Sequence, residues 1–256
     1  MHLSEFCDRL DDELDHEAYA DVDASPNGLQ IGSAERLGEV EHAAFAVDGV
    51  AATVEEAVDA GADVLVVHHG MIWGGLDRLT GRDFERVAAL VEGDLALYVS
   101  HLPLDGHDDL GNAARLADFL DCEVVEPFGT HGDVTVGQRA RVPEPGPVDA
   151  LRERLSSLDT GDRPVRVLEF GPETVEDLAV VTGAGTDWIG EAADADVDAL
   201  VTGEGKQQAY HEAREAGLNV FLAGHYATET FGVRALRELV GEWGLETTYL
   251  DHPTGL

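Results

Sequence analysis

The chain has 256 residues, with 52 Asp and Glu against 16 Lys and Arg, a formal net charge of −36, and Lys206 as its single lysine. Binding duplex nucleic acid requires a basic patch that releases counterions from phosphates, and no stretch supplies one; self-repulsion of this size is tolerable where salt screens it, so the acidic composition points to a salt-rich cytoplasm, the near absence of lysine favouring this over a mildly acidic mesophilic protein. The length allows one large domain or two small intertwined ones, Cys7 and Cys122 form no CxxC pair, and the absence of an apolar leader or membrane-length run leads us to expect a soluble, intracellular protein.

Phe6, Leu10 and Leu14 recur at helical spacing in SEFCDRLDDEL, which places Ser4 as the cap. The turn-rich SPNGLQIGS (25–33) reads as a loop. EHAAFAVD (41–48) reads as a strand, VAATVEEAVDAGA (50–62) as an amphipathic helix ending at Gly61, and DVLVVHHG (63–70) as a buried strand, a βαβ unit that implies parallel pairing. A helix over 83–93, a strand over 95–105 and a helix over 111–120 continue the alternation. From 122 to 173 the pattern loosens into turn signals and short β-like pieces, with a helix over 148–158 and a strand over 164–171. Strand and helix then alternate again through 178–185, 198–205, 206–217, 219–225 and 227–244, and 247–253 closes a sheet. The expectation is an α/β protein of two related lobes, 1–125 and 126–256.

Polar clusters stand at three predicted strand ends: HHG (68–70), SHLPLD (100–105) and GHYATE (224–229). In open α/β sheets the carboxyl edge is where ligands bind. His225 and Glu229 share a face if the helix begins at His225, as a metal-ligand pair or an ordinary ion pair. His68 and His69 point opposite ways on a strand and so reach two different points; the competing account is one core and one surface histidine. Asp105 follows a proline-stiffened turn, although solvated acids are abundant in this chain. The coincidence of all three at one edge tips the reading toward metal. Three histidines with two carboxylates suit Zn, Fe or Mn better than Ca or Mg. Five ligands exceed one catalytic zinc and fit two ions bridged by a carboxylate and a water, ~3.5–4 Å apart. TGAGT (182–186) and TGEGK (202–206) offer backbone N–H groups to an anion, but neither completes a phosphate-binding motif, and short strand-to-helix turns need glycine in any case. His2, His16, His42, His107, His131 and His252 have no such pattern and are expected at the surface.

VDGVAATVEEAVDAGADVLVVHHGMIWGG, SHLPLDGHDDLGN, the TGE of ALVTGE and AGHYATETFGVRAL together resemble the Ngg-one-interacting-factor-three-like family, whose bacterial members are called GTP cyclohydrolase 1 type 2 homologues. NGLQIG (27–32) is similar to the family's N-terminal motif, and the resemblance is weakest over 125–175, where longer members carry an inserted domain. It implies two interlinked Rossmann-like α/β lobes with a dinuclear metal site in the cleft between them. His68 and His225 would hold one divalent ion, His69 and Asp105 the other, with Glu229 bridging; His101 would stand beside them. It further implies a toroidal homohexamer acting on a small-molecule substrate, possibly a nucleotide. The activity expected from the resemblance is metal-dependent hydrolysis that opens the guanine imidazole ring at C8 or cleaves a nucleotide or phosphoester, with His101 and Glu204 as catalytic candidates and His211 a further one for proton transfer. A charged residue at a helix start is also an ordinary placement. The alternative is a non-catalytic metal-binding scaffold acting through protein partners.

Overall fold

The structure, a computed structural model, describes residues 1–256. In chain order its strands are β1 (Gly28–Ile31), β2 (His42–Asp48), β3 (Val64–His69), β4 (Ala96–Val99), β5 (Glu123–His131), β6 (Val134–Pro147), β7 (Arg166–Leu168), β8 (Thr174–Val180), β9 (Ala199–Thr202), β10 (Asn219–Leu222) and β11 (Glu246–Tyr249). They belong to two compact units, Met1–Leu104 with Gly232–His252 and Asp105–Phe231 with Pro253–Leu256, rather than to lobes divided after residue 125.

The first unit is built on a five-stranded sheet of order β1-β4-β3-β2-β11, parallel throughout except for the antiparallel edge strand β1. Val64, Leu65, Val66 and Val67 have no exposed surface, as expected of a central parallel strand covered on both faces. Ala57, Val54 and Leu90, from helices Ala51–Asp59 and Arg82–Glu92, pack on it with Leu97 and Leu250. The second unit is a six-stranded sheet of order β5-β6-β8-β9-β10-β7, parallel only across β8, β9 and β10. Ala113, Leu116 and Ala117 of helix Asn112–Phe119 join Leu178, Val180, Val201 and Phe221 in its core. Both sheets are thus mixed, each with a parallel centre. No helix is long and apolar enough to cross a membrane.

Several local expectations are corrected. Ser4 lies inside helix Leu3–Leu14; His2 is the cap, its ring accepting the Ser4 backbone N–H. The turn-rich 25–33 stretch contains β1, because tertiary pairing to β4 overrides its weak strand propensity. The strand expected over 95–105 ends at Val99, and Asp105 sits in a short helix, Leu102–Gly106. The loose middle is a long antiparallel hairpin of β5 and β6. The closing strand β11 pairs with β2 in the first unit's sheet. His42 is buried against Thr248, and His16 bridges Asp11 (3.1 Å) and Ser100 Oγ (3.1 Å), so neither is a surface histidine.

Candidate metal centre

In the first unit, β3 carries His68 and His69 to the carboxyl edge of the sheet, and His101 follows the end of β4, its parallel neighbour. The ring centroids are 4.6 Å apart for His68 and His69, 5.0 Å for His68 and His101, and 5.7 Å for His69 and His101. One ligand atom from each of the three lies within 4.8 Å of the others.

Each ring is fixed through Nδ1. His68, wholly buried, donates to the Ser100 carbonyl at 3.0 Å. His69 donates to Asp48 Oδ1 at 2.9 Å, an acid brought opposite it by the β2–β3 register. His101 donates to Asp23 Oδ1 at 2.8 Å. A ring that donates from Nδ1 carries its lone pair on Nε2, and a carboxylate or carbonyl behind a histidine is the usual partner of a metal-binding ring. Asp23 is itself clamped by the backbone N–H groups of Ser25 and Leu102 and by the Asn27 amide. Burial works to raise its pKa, but these bonds and His101 outweigh it and hold the carboxyl at about 2.

The NGLQ segment supports the same edge. Asn27 Oδ1 accepts the His101 backbone N–H at 2.7 Å, and Gln30 Oε1 accepts those of Met71 and Ile72 at 2.7 and 2.9 Å. A Cβ on Gly70 would come within 2.6 Å of the Gln30 amide, so the glycine after the histidines makes room for this brace. Trp73, 45% exposed, stands edge-on to His101 at 5.0 Å, with its indole N–H on the Gly70 carbonyl.

In the second unit, Asp105 is buried and accepts from Asn112 Nδ2 (2.9 Å) and Thr182 Oγ1 (3.1 Å). Helix His225–Glu242 begins at His225, which puts it on one face with Glu229, Nε2 to Oε2 3.1 Å. His225 Nδ1 donates to Glu204 Oε1 at 3.0 Å, so Glu204, expected to be catalytic, is placed to orient His225. Burial disfavours charge on His225, yet Glu229 and then Glu204 raise its pKa to about 10. Glu229 is buried in this corner of the second unit. Two glycine turns accommodate it: a Cβ on Gly183 would lie 2.1 Å from Glu229 Oε1, and one on Gly203 2.6 Å from His225 Cα. That requirement accounts for TGAG and TGEG.

The donors of each unit, taken by themselves, are of the kind that suits a divalent transition metal: three imidazoles fixed at Nδ1 in the first, and two buried carboxylates with one imidazole in the second. The sequence singles out His68, His69, His101, Asp105, Glu204, His225 and Glu229 as candidates, and does not single out Asp23, Asp48, Gln30 or Ser100, which hold the rings or brace the sheet edge. Only NGLQIG carried a signal for part of that support. His211 lies against Tyr210, ring centroids 5.5 Å apart.

Comparison with known proteins is consistent with this architecture. The family model described as Duf34/NIF3 (NGG1p interacting factor 3) matches residues 1–254. A "GTP cyclohydrolase 1 type 2 homolog" of Halobacterium salinarum is 55% identical over 257 residues, and one of Archaeoglobus fulgidus 42% identical, each alignment covering 100% of both chains. The solved structure of "protein ybgI, unknown function" superposes with a TM-score of 0.90 at 35% identity over 100% of both chains. With the family model spanning nearly its whole length, the chain belongs to the Duf34/NIF3 family.

Proposed function

We propose that the protein is a dinuclear metal-dependent hydrolase of the GTP cyclohydrolase 1 type 2 kind. The observation that carries this reading is the set of three imidazoles with mutually close ligand atoms, each clamped at Nδ1 by an oxygen. In the assignment that the family resemblance implies, His68 and His225 would hold one divalent ion and His69 and Asp105 the second, with Glu229 shared between them. Two such ions, Zn, Fe or Mn, would supply a water ionised near neutral pH and polarise the bond to be broken. Glu204 keeps His225 oriented. His101, its tautomer set by Asp23, accepts or returns a proton at Nε2, and the Trp73 face flanks a planar substrate such as a guanine ring opened at C8. The names borne by the relatives support the substrate class. A salt-adapted, cytoplasmic, toroidal homohexamer belongs to the same proposal.

The test is metal analysis of protein purified in high salt, followed by screening against GTP, other nucleotides and phosphoesters. Glu229→Ala should lose both ions and His68→Ala mainly one. Full occupancy in the Glu229 variant refutes the bridging assignment. Absence of turnover with every substrate, together with an Asp105→Ala protein indistinguishable from the parent, would replace the hydrolase by a metal-binding scaffold.

A further inference from the structure

Acidic residues outnumber basic ones more than threefold in this chain, 52 to 16, so a surface concavity without an acid is unusual for it. A cavity of ≈ 210 Å³ pairs Arg36 with Asp94, and one of ≈ 240 Å³ pairs Arg154 with Glu144. A larger cavity in the second unit, ≈ 530 Å³, breaks the pattern: Arg166, Lys206, Gln207, Tyr210 and His211 line it, and neither Asp nor Glu does. It holds the only lysine of the protein.

Its place in the fold follows from the sheet. Arg166 on edge strand β7 pairs with Leu222 at the carboxyl end of β10, and Gly205 and Lys206 follow the carboxyl end of the neighbouring strand β9. The cavity therefore opens at the sheet edge where α/β proteins bind ligands. Glu204, which holds His225, is the residue immediately before the lining. The helix Gln207–Ala216 starts on the same wall with no acid in its first turn and no side-chain cap, so its first N–H groups add to the positive field of the side chains. Lys206 has an outside partner in Asp187, but at 3.7 Å and with both groups largely exposed this pair is weak. Tyr210, 45% exposed and held edge-on by Phe170 at 5.2 Å, offers a flat apolar face beside the cations.

We propose that this cavity binds the phosphate chain of a nucleotide-type substrate, with Arg166 and Lys206 as its cationic grips. That the other end of such a ligand is turned over beside His225 rests on the metal-hydrolase reading; the anion site does not. Cations facing a phosphate make charge-assisted hydrogen bonds, and in a chain of net charge −36 a lining that carries Arg and Lys and no acid of its own offsets the general repulsion of anions.

The experiment uses the full-length, metal-stripped protein in potassium chloride of fixed high concentration, with inorganic tripolyphosphate as probe and backbone amide NMR as readout. Saturable shifts confined to Gly205–Gln208 and the Arg166 strand are expected. Lys206→Gln and Arg166→Gln should each weaken binding about tenfold, the scale of a lost charged hydrogen bond. Lys206→Arg should largely restore it, GTP should compete for the same amides, and guanosine should not. Both residues lie on the exposed surface, and an unchanged denaturant midpoint verifies that the variants are folded. Scattered or non-saturating shifts, or undiminished affinity in both glutamine variants, overturn the proposal. Metal content read on the same proteins as purified, before stripping, keeps the two ideas apart: tripolyphosphate binding by a protein that purifies without metal removes the hydrolase and leaves the site, whereas normal metal content without tripolyphosphate binding does the reverse.

Discussion

Replacing Gly183 by alanine separates the cost of a strained backbone from the cost of moving a metal-binding carboxylate. Gly183 has φ +58°, and Gly217, at the end of the Gln207–Ala216 helix in the same unit, has φ +65°. An L-residue in this left-handed region costs about 1 kcal/mol in either place. The surroundings differ. A Cβ at position 217 finds its nearest neighbour, the Phe170 carbonyl oxygen, at 3.8 Å, whereas one at 183 lies 2.1 Å from Glu229 Oε1 and 3.1 Å from His225 Nε2. The Glu229 side chain, 4% exposed, must then leave its 3.1 Å pairing with His225, which is 27% exposed. A fully buried pair costs 3–5 kcal/mol to break and an exposed one up to 1, so this intermediate case adds about 2 kcal/mol. Urea unfolding at constant high salt should therefore show Gly217→Ala down by about 1 kcal/mol with normal metal content. Gly183→Ala should be down by about 3 kcal/mol and depleted in metal. Equal losses, with metal undisturbed in both variants, would refute the claim that the TGAG glycine exists to admit Glu229.

Asp23 has its carboxyl held at about 2, below the ordinary carboxylate value of about 3.9, and its side chain is 1% exposed. A folded-state value below the unfolded one contributes stability above about pH 4, which is lost as the pH falls toward 2; a gap of about 2 units amounts to about 2–3 kcal/mol. Asp23→Asn should remove that part of the acid limb in a plot of urea midpoint against pH, and an unchanged limb would show that the Asp23–His101 bond contributes nothing. Burial, reinforced by neighbouring acids, pushes the Cys7 thiol up to about 12 and the Cys122 thiol up to about 11. Neither should react with a thiol reagent at pH 8 until the protein is unfolded, because the thiolate is the reactive form; labelling of either in the native state would count against their burial.

The sequence by itself determined the alternation of strand and helix, and with it the parallel centres of both sheets. The reason is that side-chain periodicity is local: DVLVVHHG, short, β-branched and closed by a glycine, reads as a covered strand, and VAATVEEAVDAGA as an amphipathic helix. It also marked His68, His69, His101, Asp105, His225 and Glu229 as candidates, since strand ends and helix starts are local events and the family motifs cover them. What only the tertiary structure decided are the partners met across the chain. Asp23 reaches His101 over 78 positions, and Asp48 reaches His69 over 21, through strand register and loop packing that leave no periodic trace. β11 joins β2 in the first unit although it follows the whole second sheet in the chain, because pairing is set by which edge remains open. The glycines of TGAG and TGEG look like turn formers in sequence. Their second task, leaving space for Glu229 and His225, exists only once a helix more than twenty residues downstream has packed against them.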